Sequence, residues 1–210
     1  MEFLNRSGIN PTMSPLNDPT LKRIYSAILP VEITDGCDAI EKEGQVPAAV
    51  LMPLVRRGNW QVILTQRPQT MPTHAGQISF PGGRMNEGEA AVQAALRETQ
   101  EEIGISPTDI TLMGRLPSFN AAYSFRITPF IGIVNPSAEI KPDPREVDDV
   151  FEVPLDFLMN TDNHVERQAS FRDKNFTLID MPYDDNGTHR NIWGMTAMIM
   201  YNLWQRGFAV

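Results

Sequence analysis

Apolar residues run almost unbroken through positions 48–55 and return densely through 60–67, and both runs are rich in Val, Ile and Leu. Each has the length of a strand. Between them, Arg56-Arg57-Gly58-Asn59 supplies a Gly-Asn pair, so the two predict a β-hairpin. Further on, Gln77 and Ser79 alternate with Ile78 and Phe80, the period of a short strand with one polar face. A helical period takes over at 87–103, with Ala91, Ala94, Ala95, Thr99 and Ile103 on the inner face. Most of these are small enough to let a helix lie close on a sheet. Strands are expected at 111–116 and 126–134, a Pro- and acid-rich loop at 135–149, and a short helix at 155–159 opened by Pro154. A second hairpin is expected at 165–180 around Arg172-Asp173-Lys174. The last apolar stretch, 194–204, places Met195, Met198, Ile199, Met200 and Leu203 as a core-packing helix. Before the first strand, residues 1–45 scatter Pro, Asn, Thr and Gly around one helix at 19–29, and read as an extension preceding a domain at 46–210.

The polar face of the 87–103 helix carries the chemistry. Glu98, Glu101 and Glu102 fall at i, i+3 and i+4, where like charges are neighbours and cost about 0.2–0.5 kcal/mol per pair if nothing compensates. Acidic clusters on helices are most often solvated faces. The flanks change that reading, because Pro81-Gly82-Gly83 is a turn able to bring backbone close to a ligand, and Gly104 stands where a helix end favours a left-handed residue. A divalent cation would compensate the charges. All-oxygen donor sets suit magnesium or manganese, and magnesium bridges readily to substrate phosphates. The expected substrate is a phosphate ester or anhydride.

Gly83, Glu89, Arg97-Glu98, Glu101-Glu102, Gly104 and Ile105 resemble the Nudix hydrolase signature at every fixed position. Thr99 is the one departure, where a bulky aliphatic is usual. The resemblance implies an α/β fold, a Nudix-type α/β/α sandwich with a mixed β-sheet, and hydrolysis of a nucleoside diphosphate linked to another moiety. It also implies that Glu98, Glu101 and Glu102 bind metal with the Gly83 carbonyl beside them, while Arg97 and Glu89 hold loop and helix in register.

A second pattern lies upstream, in Ile63-Leu64-Thr65-Gln66-Arg67 and His74-Ala75-Gly76-Gln77-Ile78-Ser79-Phe80-Pro81-Gly82-Gly83. It resembles the segment that marks coenzyme A pyrophosphatases within the family. Pro68 replaces the usual Ser or Ala, and Pro72 stands where an Arg would complete the pattern, removing a cation suited to phosphate. His74, two residues on, is placed to take over some of that contact. Ile192-Trp193-Gly194-Met195-Thr196-Ala197 also resembles a run common in that subfamily. The implied activity is metal-dependent hydrolysis of coenzyme A or acyl-coenzyme A to 4′-phosphopantetheine, or its acyl form, and adenosine 3′,5′-bisphosphate. Two alternatives stay open: a Nudix pyrophosphatase acting on NADH, ADP-ribose or a nucleotide sugar, and a nucleotide-sensing module without turnover.

Candidate substrate contacts are Arg67, His74, Gln77, Gly82 and Gly83, with Arg126 a second cation to test. Candidate catalytic residues are Glu98, Glu102, Arg97 and Glu89. Water attacking a diphosphate needs a base, and Glu98, Glu102 and the loop carboxylates Glu139 and Glu146 all compete for that role. His164 and His189 have no partner at zinc-ligand spacing and read as structural.

With 210 residues, 41% of them apolar, the chain can bury a core without staples. Its net charge of −8 argues against general nucleic-acid binding, which needs clustered Lys and Arg. A single cysteine, Cys37, permits no intrachain disulfide and suits a reducing compartment. The first residues lack a basic region followed by an apolar run, so a cytoplasmic location is expected. The 194–204 stretch is far short of the about 20 residues needed to cross a bilayer. The expected partner is a small-molecule nucleotide rather than a nucleic acid or membrane, and a homodimer remains open.

Overall fold

The computed structural model describes residues 17–32, 44–70, 75–121, 125–171 and 174–209. Cys37, Pro72, His74, Arg172 and Asp173 lie outside them.

The two apolar runs do form a hairpin. Strand β1 (Val46–Arg57) pairs antiparallel with β2 (Asn59–Gln66), closing on Arg57 opposite Asn59. Strand β3 (Ile78–Ser79) pairs antiparallel with the end of β2, and β4 (Gly82–Arg84) pairs with the first half of β1. Helix α2 (Ala91–Ile103) follows a first helix, α1 (Pro19–Ala27). Then come β5 (Ile110–Arg115), β6 (Phe119–Ala121) and β7 (Phe125–Val134), the last parallel to β1 over its whole length. Strand β8 (Asp149–Pro154) returns to pair with β2 and leads into the short helix α3 (Leu155–Leu158). One parallel pairing among antiparallel ones makes this eight-stranded sheet mixed. A second sheet holds β9 (Val165–Phe171), β10 (Lys174–Asp185) and β11 (Thr188–Ile192), and helix α4 (Gly194–Gly207) closes the chain.

The central strands are apolar on both faces because helices cover both. On β1, Ala49 and Leu51 point to α2 and meet Ala94, Ala95 and Phe130. Met52 and Leu54 point the other way, into the larger core of Leu21 and Ile24 from α1 and Ile199, Met200 and Leu203 from α4. Each such side chain, fully buried, contributes about 1.5–3 kcal/mol. Asp18 caps α1 and accepts from Trp60 Nε1 at 2.9 Å, so the described part of the N-terminal segment is fastened to the β1–β2 hairpin.

Several elements differ from the sequence pattern. Helix α2 begins at Ala91 rather than Glu87, because Gly88 is left-handed (φ +74°) and Glu89 N–H donates to Asn86 O in a turn. Glu89 therefore sits in the loop before the helix. Its far end ends as expected, with Gly104 left-handed at φ +74°. Strands β4, β6, β8 and β11 fall where no strand was expected, β4 taking up Gly82 and Gly83 of the expected turn. In β8 the alternation of Val150, Phe151 and Val153 with charged neighbours merges into the acidic run before it. Of the residues expected to pack from α4, Ile199, Met200 and Leu203 are buried, whereas Met195 and Met198 are half-buried and Thr196 and Ala197 lie inside. No helix among the described residues is long and apolar enough to cross a membrane.

Candidate active site

The site is assembled where the β4 turn, α2 and the loop at 135–148 meet. Gly82 lies so close to β1 that a Cβ there would stand 2.4 Å from Ala49 O, and Gly83 so close to α2 that a Cβ there would stand 2.5 Å from the Glu98 carboxyl carbon. Glycine at both positions lets backbone and carboxylate share that space. Gly82 N–H donates to Glu102 Oε2 at 3.1 Å.

Arg97 organises the outer half of the cluster. Its guanidinium grips Glu89 bidentately at 2.8 and 3.0 Å, donates to Glu98 and Glu101 at 2.8 Å each, and reaches Arg84 O at 3.0 Å. Charge-assisted, forked contacts of this kind are strong and directional. They tie the loop before α2, the strand β4 and the helix to one group. The Arg97 hydrogen bonds hold the Glu89 carboxyl below its usual range and push the Arg97 pKa upward.

The inner half is different. Glu102 is 4% exposed and takes one hydrogen bond, from Gly82, so burial pushes its carboxyl up to about 8, with the Glu98 and Glu146 charges adding to the rise and Arg67 opposing it. Burial also raises Glu98. Glu101 is 55% exposed on its side chain. As the side chains stand, Arg97 draws Glu98 and Glu101 toward itself, and no three His, Cys, Asp or Glu side chains among the described residues already converge on one point. The donor set nevertheless fits a divalent cation. It consists of hard carboxylate oxygens: Glu102 is buried with one N–H donor and, among the described residues, no cation in hydrogen-bond contact, and burial raises the half-buried Glu98 even against its Arg97 ion pair.

The acidic loop is anchored rather than free. The last carbonyls of α2 lack intrahelical partners, and the loop supplies them: Asp143 N–H donates to Glu102 O at 2.9 Å and Lys141 N–H to Ile103 O at 2.8 Å. Glu146 and Val147 N–H both return to Asp143 O, and Val147 is buried. This geometry leaves Glu146 within electrostatic reach of both Glu98 and Glu102. Glu139 instead pairs with Lys141 at 2.8 Å, with both groups largely exposed.

On the opposite wall, Arg67 follows β2, and its N–H donates to Gln77 O at 3.0 Å. Its Nε is buried without a partner among the described residues. Ile78 and Phe80 are buried while Gln77 and Ser79 are half-exposed, as the alternation predicted. Arg126 lies on β7 opposite Asn120, away from this wall in the sheet. Of the two other histidines, His164 makes a 2.8 Å contact with Leu158 O and packs edge-on against Tyr201 and Trp204, whereas His189 lies exposed on β11. No sequence motif points to Arg190. It sits buried on β11 and donates to Gln66, Asp149 and Asp185 while lying 4.4 Å over the Phe151 ring.

A NUDIX domain model matches residues 45–174. The chain belongs to the Nudix family. A relative from Citrobacter koseri, "Uncharacterized Nudix hydrolase NudL", is 36% identical over 157 residues, which cover 74% of this chain and 80% of that protein. A protein of the same name from Salmonella paratyphi B is 36% identical over 164 residues, covering 78% and 83%. A crystal structure of a C. elegans Ap4A hydrolase binary complex superposes with a TM-score of 0.46 and 22% identity, covering 52% of this chain and 80% of that one. The protein is thus a Nudix pyrophosphohydrolase, an enzyme class that acts on small nucleotide substrates with divalent metal ions.

Proposed function

We propose that this Nudix enzyme cleaves the diphosphate of coenzyme A or acyl-coenzyme A, releasing 4′-phosphopantetheine or its acyl form and adenosine 3′,5′-bisphosphate. The observation that carries this reading is a contact between two stretches distant in sequence. Thr196 Oγ1 donates to Ile78 O at 3.0 Å, and Gly194 lies beside the Gln77 side chain. The Trp193-Gly194-Met195-Thr196-Ala197 run and the described part of the 74–83 segment, the two that resemble coenzyme A pyrophosphatases, therefore meet, and the second of them runs on to Gly82, whose N–H donates to Glu102. Arg67, with a spare buried donor, supports recognition of a substrate anion on that wall.

Glu98, Glu101 and Glu102, with the Gly83 carbonyl, are the residues we assign to hold Mg2+ or Mn2+. Held by these residues, such an ion would supply Lewis acidity, lowering the pKa of a water and offsetting charge on the phosphoryl oxygens. Arg97 fixes the helix against the β4 turn through Glu89 and Arg84 O, so the carboxylates face the substrate side in register. Glu146 is the proton acceptor the geometry favours, since Glu98 and Glu102 are engaged elsewhere and Glu139 is held by Lys141. Residues 46–210 form the catalytic unit in this reading, with α1 docked on its back.

The test is magnesium-dependent hydrolysis of coenzyme A, acyl-coenzyme A, dephospho-coenzyme A, NADH and ADP-ribose. A higher kcat/KM for coenzyme A than for its dephospho form supports recognition of the 3′-phosphate despite Pro72. Faster turnover of NADH or ADP-ribose replaces the substrate while keeping the site, and binding without any product would mean a sensing module.

A further inference from the structure

Arg190 is the one strongly buried cation on the described surface of the second sheet that reaches into the first. Its side chain is 8% exposed, and its two terminal nitrogens reach three strand ends, while the buried Nε has no partner among the described residues. Nη1 donates to Gln66 Oε1 at the end of β2, and Nη2 donates to Asp149 at the start of β8 and to Asp185 of β10 at 3.2 Å. Stacking on Phe151, also in β8, fixes the plane of the fork. A buried guanidinium with two carboxylates and an amide is a costly arrangement to assemble, and packing alone would be served as well by an aliphatic residue.

What these two nitrogens hold explains the arrangement. Gln66 is a junction: its backbone carbonyl accepts from Asp148 N–H at 2.8 Å, its amide nitrogen donates to Gly76 O at 3.4 Å, and the next residue is Arg67. Because Arg190 occupies Gln66 Oε1, the amide has its NH2 turned to Gly76. Asp149 ends the loop that carries Glu146 three residues earlier. One guanidinium thus secures the exit of the acidic loop and the entry of the Arg67–Gln77 wall. At its other end the loop is already fixed to the α2 carbonyls.

We infer that Arg190 is a positioning residue that clamps the Glu146 loop and the Arg67–Gln77 wall in register across the site. It touches neither the α2 carboxylates nor, by its burial, the substrate. The inference rests on the proposed reaction for its kinetic consequence but not for its structural one.

The test combines hydrogen exchange with kinetics on the full chain, using Arg190→Gln, Arg190→Lys and Asp149→Asn with coenzyme A and Mg2+. Arg190→Gln is expected to speed exchange in 143–149 and 75–80 by at least about tenfold while β1 stays protected. Its kcat falls about 10–100-fold, the scale of a misplaced catalytic geometry, with KM within about threefold. Arg190→Lys restores part of both, and Asp149→Asn, which cuts only the loop limb, reproduces the faster exchange in 143–149 alone. Should Arg190→Gln fail to fold, Asp149→Asn decides. Unchanged loop exchange in the folded variants, or a uniform rise that includes β1, would overturn the inference. A wild type that leaves coenzyme A intact sinks the substrate reading, and the exchange pattern still settles the clamp.

Discussion

Glu89 and Glu102 belong to one motif and stand at opposite ends of its electrostatic range. Glu89 is gripped by two arms of Arg97 and also accepts Asn86 N–H at 2.8 Å, so its charge is fully answered within the protein. Glu102 is buried with a single N–H donor, and its carboxyl is pushed up to about 8. A satisfied charge holds structure together, whereas an unanswered one is held ready for something the chain does not itself contain. Sequence spacing alone cannot separate the two, since both are Glu residues at fixed motif positions.

The contrast is broken most severely at Glu102. Glu102→Gln keeps the shape and the Gly82 contact but removes the charge, and it is expected to abolish metal-dependent turnover. The same change should leave the metal-free protein at pH 8 no less stable, because the buried charge it deletes is a cost to folding. A fall in thermal stability together with retained activity would invert the roles assigned here.

Next in size is the loop carboxylate. Glu146→Gln should lower kcat about a hundredfold, the lower end for loss of a general base. Glu139→Gln, which only releases Lys141, should match the wild type. Equal effects at both positions would mean that the loop contributes charge and not a placed proton acceptor.

Glu89→Gln comes third. Arg97 keeps Glu98, Glu101 and Arg84 O, so the loss in kcat is expected near tenfold, at the low end for a group that supports metal-binding residues. Unlike Glu102→Gln, it should lower the melting temperature in EDTA, since it removes a contact that is satisfied without metal.

How much of this was legible in the sequence follows the same divide. The hairpin of β1 and β2, the inner face of α2 and the Gly104 cap could be read because local periodicity and turn chemistry determine them. Helix α2 starts four residues later than its sequence pattern suggests, because Glu87 and Glu89 suit a helix while Gly88 diverts the backbone just before it. The carboxylates were identifiable from spacing, but not that Arg97 draws two of them aside, which depends on the fold bringing β4 beneath the helix. Arg190 was invisible for a related reason. Its partners lie 124, 41 and 5 positions away, and no window of sequence contains them all.

The smallest effect sharpens the comparison by titration. In the metal-free protein Glu102 binds its proton more tightly when folded than when unfolded, since its pKa rises from the ordinary 4.5 to about 8. The stability linked to that proton is complete below about pH 4.5 and is lost as pH climbs through 8. Glu89 has the opposite sign: its lowered pKa contributes stability at neutral pH that is lost on acidification. Between pH 6 and 8.5 in EDTA, Glu89 is fully ionised in both states and silent, so the part of a melting-temperature decline across that window that Glu102→Gln removes reports Glu102. We expect a loss of about 1–3 kcal/mol, the scale for an imperfectly satisfied buried group, or about 2–12 °C for a chain of this size. Magnesium should recover more of it at pH 8.5 than at pH 6, because the ion competes with the proton for the same oxygens. Glu102→Gln should flatten the pH dependence and remove the magnesium response, whereas Glu89→Gln should leave both slopes in place. A wild-type curve that is flat in EDTA would mean that Glu102 is already compensated, and the distinction between the two glutamates would fall.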